Sequence, residues 1–223
     1  GKSFKVAPQK RMTHASDLWK TNEAVIKIQF EEHFTGKETS IVSPTNCVLG
    51  NQFKAGDHLQ MECCTVNTLS GPVYIGNNVL VMEGSSIRGP VFIGDGAVVK
   101  MGAKIYGGSS IGPGCVVGGE IKNSILFPFS NKAHDGYLGD SVIGSWCNIG
   151  AGTSNSNLKN TAGPVKIWDE GTQDWLVAGI KAGTLMGDFS RTAINTSLNT
   201  GTTVGISCSI HGDLFPPKHI PSF

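Results

Sequence analysis

The fold is decided by residues 75–118, which read IGNNVLVMEGSSIRGPVFIGDGAVVKMGAKIYGGSSIGPGCVVG. Every sixth residue of this stretch is β-branched and aliphatic, namely Ile75, Val81, Ile87, Ile93, Val99, Ile105, Ile111 and Val117. The residue four positions after each of the first seven is small, namely Val79, Ser85, Val91, Ala97, Ala103, Ser109 and Cys115. A period of six is neither the 3.6 of a helix nor the 2.0 of a plain strand, and it indicates a repeat architecture.

The hexad predicts a three-sided parallel β-helix. Its first and fifth positions both point inwards if a short strand spans them, and glycine permits the turn that follows. After a phase slip, the pattern resumes at Ile125, Asn131, Tyr137, Ile143 and Ile149. It returns at Ile180, Met186, Thr192, Leu198, Val204 and Ile210, with small residues at Thr184, Ser190, Thr196, Thr202 and Cys208. About nineteen hexads give an all-β fold of about six coils.

The segments outside the repeat define the expected domain organisation. Residues 1–40 are interpreted as an N-terminal tail and a connector helix from a missing upstream domain, and residues 41–223 as the β-helix domain. Within that domain we expect an irregular first coil over 41–74 and an excursion over 158–179 that forms a protruding hairpin. The helix is predicted from Ser16, as its cap, to Phe34. Its apolar stripe is expected to comprise Leu18, Trp19, Ala24, Val25, Ile28 and Phe34.

Composition excludes several functional classes. Charged residues make up 16% of the chain and the net charge is +1, which argues against generic nucleic-acid binding. No apolar run approaches the roughly 18 residues of a membrane span. The six cysteines include no C-x-x-C pair, so no zinc ribbon or other metal site is predicted. We interpret them as reduced core residues of a cytoplasmic protein, with Cys115, Cys147 and Cys208 as interior filling.

Two lysines are candidates for binding an anion. Lys104 and Lys122 are one nominal coil apart and share an outward hexad position, which predicts stacking with α-carbons about 5 Å apart. Two ammonium groups so placed favour a phosphate between them. The alternative is a pair of solvated surface lysines.

His134 is the candidate general base. It lies where the hexad pattern is corrupted, and irregular loops on rigid scaffolds often carry catalytic groups. An imidazole that titrates near neutrality suits proton abstraction. The alternative is a structural histidine.

The segment from Asn131 to Asn157 resembles a known family. Its motifs are Asn131-Lys132-Ala133-His134, Tyr137-Leu138-Gly139-Asp140, Ile143-Gly144 and Asn148-Ile149-Gly150-Ala151-Gly152-Thr153. These are similar to the acetyltransferase half of bacterial bifunctional N-acetylglucosamine-1-phosphate uridylyltransferases, which belong to the hexapeptide-repeat acyltransferases. The resemblance, over about residues 73–215, implies a left-handed β-helix, whereas the general crossover rule favours the right hand.

The resemblance also implies a site and its partners. His134 matches the base that deprotonates the amine of glucosamine 1-phosphate as it attacks acetyl-CoA. Lys104, Lys122, Tyr137, Asn148 and Asn157 match substrate-binding positions. Acetyl-CoA or another acyl-CoA is the implied co-substrate, a sugar phosphate or nucleotide-sugar the partner, and a homotrimer the assembly. Any nucleotidyl transfer is expected to lie outside this chain.

Two positions depart from the family pattern. Leu158 stands where the family has a tyrosine, and Ile194 stands where it has a serine near the thioester. Two functions therefore follow from the sequence. The first is an acyl-CoA-dependent N-acyltransferase acting on an amino-sugar phosphate. The second is a non-catalytic β-helix that trimerises or regulates a sugar-1-phosphate nucleotidyltransferase.

Overall fold

The computed structural model describes residues 12–212 and 214–223, so most of the predicted tail before the connector helix lies outside the described residues. Short strands stack in parallel on three faces, which confirms the predicted parallel β-helix. Face A comprises β1 (Cys47–Leu49), β4 (Thr65–Asn67), β7 (Ser86–Arg88), β10 (Lys104–Ile105), β13 (Glu120–Lys122) and β16 (Tyr137–Gly139). The pair β18 (Ser154–Asn155) and β23 (Ser197–Leu198) continues beyond it, because the Tyr137 N–H donates to Ser154 Oγ at 3.0 Å.

The other two faces complete each coil. Face B is a nine-stranded sheet of β2 (Phe53–Ala55), β5 (Val73–Ile75), β8 (Val91–Ile93), β11 (Ser109–Ile111), β14 (Ile125–Leu126), β17 (Val142–Ile143), β21 (Thr184–Met186), β24 (Thr202–Val204) and β26 (His219–Ile220). Face C contains β3 (Gln60–Met61), β6 (Leu80–Val81), β9 (Val98–Val99), β12 (Val116–Val117) and β15 (Asn131–Lys132), followed by the pair β22 (Arg191–Thr192) and β25 (Ser209–Ile210).

The interior confirms the hexad pattern up to Val117. All eight aliphatic residues of the first run are at most 1% exposed, and the small residues between them are buried as well. Each buried aliphatic side chain contributes roughly 1.5–3 kcal/mol to stability. Cys115, Cys147 and Cys208 are free and buried, as predicted, and Cys64 is buried too. Cys47 and Cys63 are exposed, so the prediction of a core position was wrong for these two. The column of inward side chains therefore forms the core along most of the β-helix.

The structure corrects the number of coils and the phase of the second run. Face B stacks nine strands rather than the expected six, and residues 47–67 form regular strands instead of an irregular first coil. After Val117 the next inward residue is Ile121, because the Gly118–Gly119 corner is short. Leu126, Lys132 and Leu138 then point inwards, in place of the expected Ile125, Asn131 and Tyr137. Ile180 is 52% exposed and lies outside the repeat.

The connector helix α1 has the predicted bounds, Ser16–Phe34, and packs along face B. Its buried side chains are Ser16, Trp19, Asn22 and Ile26, whereas the expected stripe members Ala24, Val25 and Ile28 are exposed. Ser16 does not cap the helix; instead, the Asp17 carboxylate accepts hydrogen bonds from the Thr13 and His14 N–H groups.

The predicted hairpin within 158–179 is confirmed as the antiparallel strands β19 (Val165–Asp169) and β20 (Asp174–Gly179). Val165 and Ile167 of β19 pack with Trp19 of α1 and Val142 of face B. The hairpin therefore leaves the repeat but lies against it. Within the described residues, no helix is long and apolar enough to cross a membrane.

Candidate functional site

The two candidate lysines are not stacked on each other. Lys104 pairs in register with Glu120, because the coil between them is two residues shorter than the sequence repeat predicts. Lys122 pairs with Gly139 of the next coil instead. Both ammonium groups are on face A and both lysines are exposed. The expected direct stacking of Lys104 on Lys122 was therefore wrong, and the register partner of Lys104 is the acidic residue Glu120.

Tyr137, Asn157 and Asp140 form a hydrogen-bonded cluster next to Lys122. The Asn157 amide donates to the Tyr137 phenol oxygen at 3.0 Å and to the Asp140 carboxylate. Asp140 also accepts from the Asn123 amide at 2.6 Å. Burial, with a further contribution from Asp140, raises the pKa of Tyr137 to about 12. The phenol is thus neutral at physiological pH, and its O–H group can donate a hydrogen bond to a bound ligand.

Gly139 makes room for the Tyr137 ring. A Cβ at Gly139 would lie 2.7 Å from Tyr137 Cε1 and would also collide with the phenol oxygen. The ring therefore lies across Gly139 on the outer surface of face A. Since Gly139 is the register partner of Lys122, this arrangement places the Tyr137 hydroxyl beside the Lys122 strand.

A shallow pocket adjoins this cluster. It has a volume of 310 Å³ and brings Lys122, Asn123 and Asp140 together with Lys20 of α1 and Lys181. Of the predicted site residues only Lys122 lines it, and the lining does not include Lys104, His134, Tyr137, Asn148 or Asn157. Glu23 of α1 also lines the pocket, so three ammonium groups meet two carboxylates. The remaining positive charge suits an anionic ligand. The helix α1 thus contributes to the surroundings of the candidate site as well as to the packing of face B.

His134 occupies an exposed corner between face C and face A, directly before β16. Its corner lies against Gly119 of the preceding coil, where a Cβ would be 2.9 Å from the His134 carbonyl oxygen. From the following coil, the Gly152 N–H donates to the Asp135 carbonyl at 3.0 Å. The imidazole is therefore presented to solvent from a corner whose backbone is held on both sides.

Asn148 lies away from the Tyr137 cluster. It bridges Asn131 and Arg191 on face C, and its side-chain oxygen accepts from the Asn131 amide at 2.8 Å. Within one chain, faces A and C diverge from the corner that carries His134. The structure therefore groups Tyr137, Asn157 and Lys122, but it does not bring Asn148 to them.

The two departures from the family pattern are both on the surface. Ile194 is 68% exposed and lies in the column of corners that includes His134, because the backbone of residues 193–194 sits against Gly150. Leu158 is 42% exposed and directly follows Asn157. An apolar side chain thus replaces a polar one at each of these positions.

Two residues of the site escaped the sequence analysis. Asp140 was seen only as part of a motif, although it joins Asn157 to Asn123. Lys132 was also seen only as part of a motif, with its neighbour Asn131 expected to point inwards, although Lys132 is 2% exposed and hydrogen-bonded to the His134 carbonyl. The signal for Asp140 was an acid within a glycine-containing turn. For Lys132 no local signal existed, because its direction depends on two short corners, the step of four residues from Val117 to Ile121 and the step of five from Ile121 to Leu126.

Comparison with known proteins supports the resemblance. No family model matches the chain. It is 38% identical over 101 residues to a protein named bifunctional protein GlmU from Methanococcus vannielii, covering 45% of this chain and 24% of that protein. The protein of the same name from Methanocaldococcus jannaschii is 35% identical over 103 residues, covering 46% and 25%.

A third relative carries a name that describes two activities. The bifunctional sugar-1-phosphate nucleotidylyltransferase/acetyltransferase of Sulfurisphaera tokodaii is 34% identical over 93 residues, covering 41% of this chain and 23% of the relative. The chain thus spans about a quarter of the length of the curated relatives that it matches. Together with the observed fold, these matches confirm that this chain is a parallel β-helix similar to the hexapeptide-repeat region of GlmU-type bifunctional proteins.

Proposed function

We propose that this chain is an acyl-CoA-dependent N-acyltransferase that acts on an amino-sugar phosphate, with acetyl-CoA as the first donor to test. The observation that carries the proposal is the cluster of Tyr137, Asn157 and Asp140 beside Lys122, one corner after the exposed His134. Polar groups for a sugar, a cation for a phosphate and a titratable base are thus close in the chain and in the fold. The names of the relatives supply the reaction class.

In this proposal His134 removes a proton from the substrate amine. The amine nitrogen attacks the thioester carbonyl, the carbon–sulfur bond breaks, and CoA leaves as the thiol once it has gained a proton. Tyr137 and Asn157 bind sugar hydroxyls, and Lys122 binds the phosphate, with Lys20 and Lys181 adding to the positive field. Lys104 has a weaker role because Glu120 lies opposite it.

We further propose a homotrimer. Asn148 lies on face C, apart from the Tyr137 cluster of its own chain. Its proposed contact with the substrate therefore requires a neighbouring chain whose face A meets this face C. Closed rotational symmetry is the usual result when two different faces of the same chain meet in this way. Sedimentation as a monomer at micromolar concentration would count against the trimer and against the role of Asn148.

The alternative function is a β-helix that assembles or regulates an attached nucleotidyltransferase without acyl transfer. The exposed Ile194 favours it, because an apolar side chain in the column of the His134 corner cannot stabilise a developing oxyanion. Binding of a sugar phosphate without turnover by the wild-type chain would support this alternative.

The test is release of free CoA from acetyl-CoA in the presence of glucosamine 1-phosphate. We expect His134→Ala to lower kcat by about 10²–10⁴-fold, the usual contribution of a general base. His33→Ala, an exposed histidine on α1, is the matched control and keeps wild-type activity. Turnover that survives in His134→Ala would show that another group is the base.

A further inference from the structure

Lys132 lies inside the β-helix, where the repeat otherwise places apolar residues. It is 2% exposed, and its register partner in the preceding coil is Val117. In the following coil the equivalent inward position is held by the buried Ile149. Lysine is almost never fully buried unless it is paired. Lys132 nevertheless forms no ion pair with any residue that the structure describes.

The Lys132 ammonium binds two backbone carbonyls instead. It donates to the Gly118 oxygen at 3.2 Å and to the His134 oxygen at 2.5 Å. Among the described residues, neither oxygen accepts a hydrogen bond from a backbone N–H. An aliphatic residue at this position would fill the core and leave both carbonyls without a donor. Burial lowers the pKa of Lys132 to about 8, which is the electrostatic cost of this arrangement.

The two carbonyls belong to corners of consecutive coils that are in direct contact. A Cβ at Gly119 would lie 2.8 Å from the Gly136 oxygen, so only glycine permits this approach. Lys132 reaches the same pair of corners from the interior. Since the carbonyl that it holds belongs to His134, the bond fixes the peptide plane that follows His134. Fixing this plane also restricts the direction in which the imidazole leaves the backbone.

We propose that Lys132 is a positioning residue for His134, joining the His134 corner to the Gly118 corner from inside the β-helix. The proposal rests on the proposed role of His134 as the base. A displacement of about 1 Å of a catalytic group can cost about 100-fold in rate. Lys132 thus acts through His134 without contacting the substrate. If Lys132 were purely structural, removing its ammonium group would affect both corners equally and would leave the direction of the His134 imidazole unchanged.

The test compares Lys132→Met with wild type in the full chain of 223 residues. Met has a similar length and no donor, so it keeps the packing and removes both hydrogen bonds. Lys132→Gln is the second variant, to be used if Lys132→Met does not fold. It retains a hydrogen-bond donor, the side-chain amide, on a shorter side chain. Lys100→Met is the matched control. Lys100 lies against the outside of the Gly118 corner, and its substitution removes the same charge without removing the buried hydrogen bonds.

Two readouts are needed. The first is the NMR signal of the imidazole in chains labelled with ¹³C-histidine, where His14, His33, His58, His211 and His219 serve as internal references. We expect the His134 signal to move in Lys132→Met while the five references keep their positions. The second is kcat for acyl transfer, expected to fall about 10–100-fold, with KM for glucosamine 1-phosphate changed by less than about 3-fold.

The outcomes separate this proposal from the proposed function. If a folded Lys132 variant leaves the His134 signal and kcat unchanged, the positioning role is overturned. Movement of all six histidine signals would overturn it as well, because it would indicate general loosening of the fold. If wild type shows no acyl transfer, the His134 signal still decides whether Lys132 holds the corner. The absence of transfer would then count against His134 as the base and not against the positioning role of Lys132.

Discussion

The Asn157 amide nitrogen lies 3.0 Å from the phenol oxygen of Tyr137, although twenty residues separate them in the chain. The hydrogen bond joins the second residue after β18 to the first residue of β16, one coil below. Asp140 accepts from the same amide, so the orientation of the Asn157 side chain is defined by both partners. Hydrogen bonds within the protein thus fix the relative position of Tyr137 and Asn157, two residues that the resemblance assigns to sugar binding.

Tyr137→Phe tests the contribution of the phenol hydroxyl. We expect KM for glucosamine 1-phosphate to rise about 5–30-fold, because a hydrogen bond in a binding site contributes roughly 1–2 kcal/mol. The fold is expected to persist, since the ring keeps its place over Gly139. Steady-state kinetics with saturating acetyl-CoA provide the measurement. An unchanged KM would remove Tyr137 from the substrate-binding residues.

Gly139→Ala tests whether the position of that ring matters. The new Cβ displaces Tyr137 from the surface of face A, so we expect a KM at least as high as that of Tyr137→Phe. Gly163→Ala is the control, because its Cβ meets nothing closer than 3.4 Å and its φ is not left-handed. Combining Gly139→Ala with Tyr137→Phe is expected to add little. Fully additive effects would mean that the two residues act independently.

The register predicts unequal roles for the two candidate lysines. We expect Lys122→Ala to weaken binding of glucosamine 1-phosphate about 10–100-fold, because a charge-assisted hydrogen bond contributes roughly 1.5–3 kcal/mol. Lys104→Ala is expected to change the affinity by less than about 3-fold, since Glu120 lies opposite Lys104. Isothermal titration calorimetry measures both. Equal effects of the two substitutions would contradict the register argument.

The free energy of unfolding should depend on pH through Lys132. Burial lowers its pKa from 10.5 in the unfolded chain to about 8 in the folded protein. Between these pH values the unfolded chain binds more protons than the folded one, so the stability contributed by this residue rises with pH. Relative to Lys132→Met, wild type should gain up to about 3 kcal/mol, because one pKa unit corresponds to about 1.4 kcal/mol.

Urea unfolding of both proteins at several pH values measures this difference. The comparison with the variant is essential, because burial raises the pKa values of Cys64, Cys115, Cys147 and Tyr137, which lowers the stability of both proteins at high pH. A difference between the two proteins that stays constant from pH 8 to pH 10.5 would show that Lys132 is not held in a low-dielectric interior.

The sequence by itself determined the architecture and the inward positions from Ile75 to Val117. It could do so because six residues return each strand to the same face only in a coiled repeat, and because the branched side chains mark the interior. The bounds of α1 and the place of the hairpin were also legible, since each interrupts the repeat with its own periodicity. The motif around His134 and Tyr137 was enough to suggest the reaction class.

Only the tertiary structure decided the register beyond Val117. A period states how often a residue turns inwards, but the Gly118–Gly119 corner passes from Val117 to Ile121 in four residues, and the next corner passes from Ile121 to Leu126 in five. The first step separated Lys104 from Lys122, and the second turned Lys132 into the core. Because a change of one residue exchanges inside for outside in a strand, the five-residue step redefined which residues face the core, and the two short corners together redefined the candidate site.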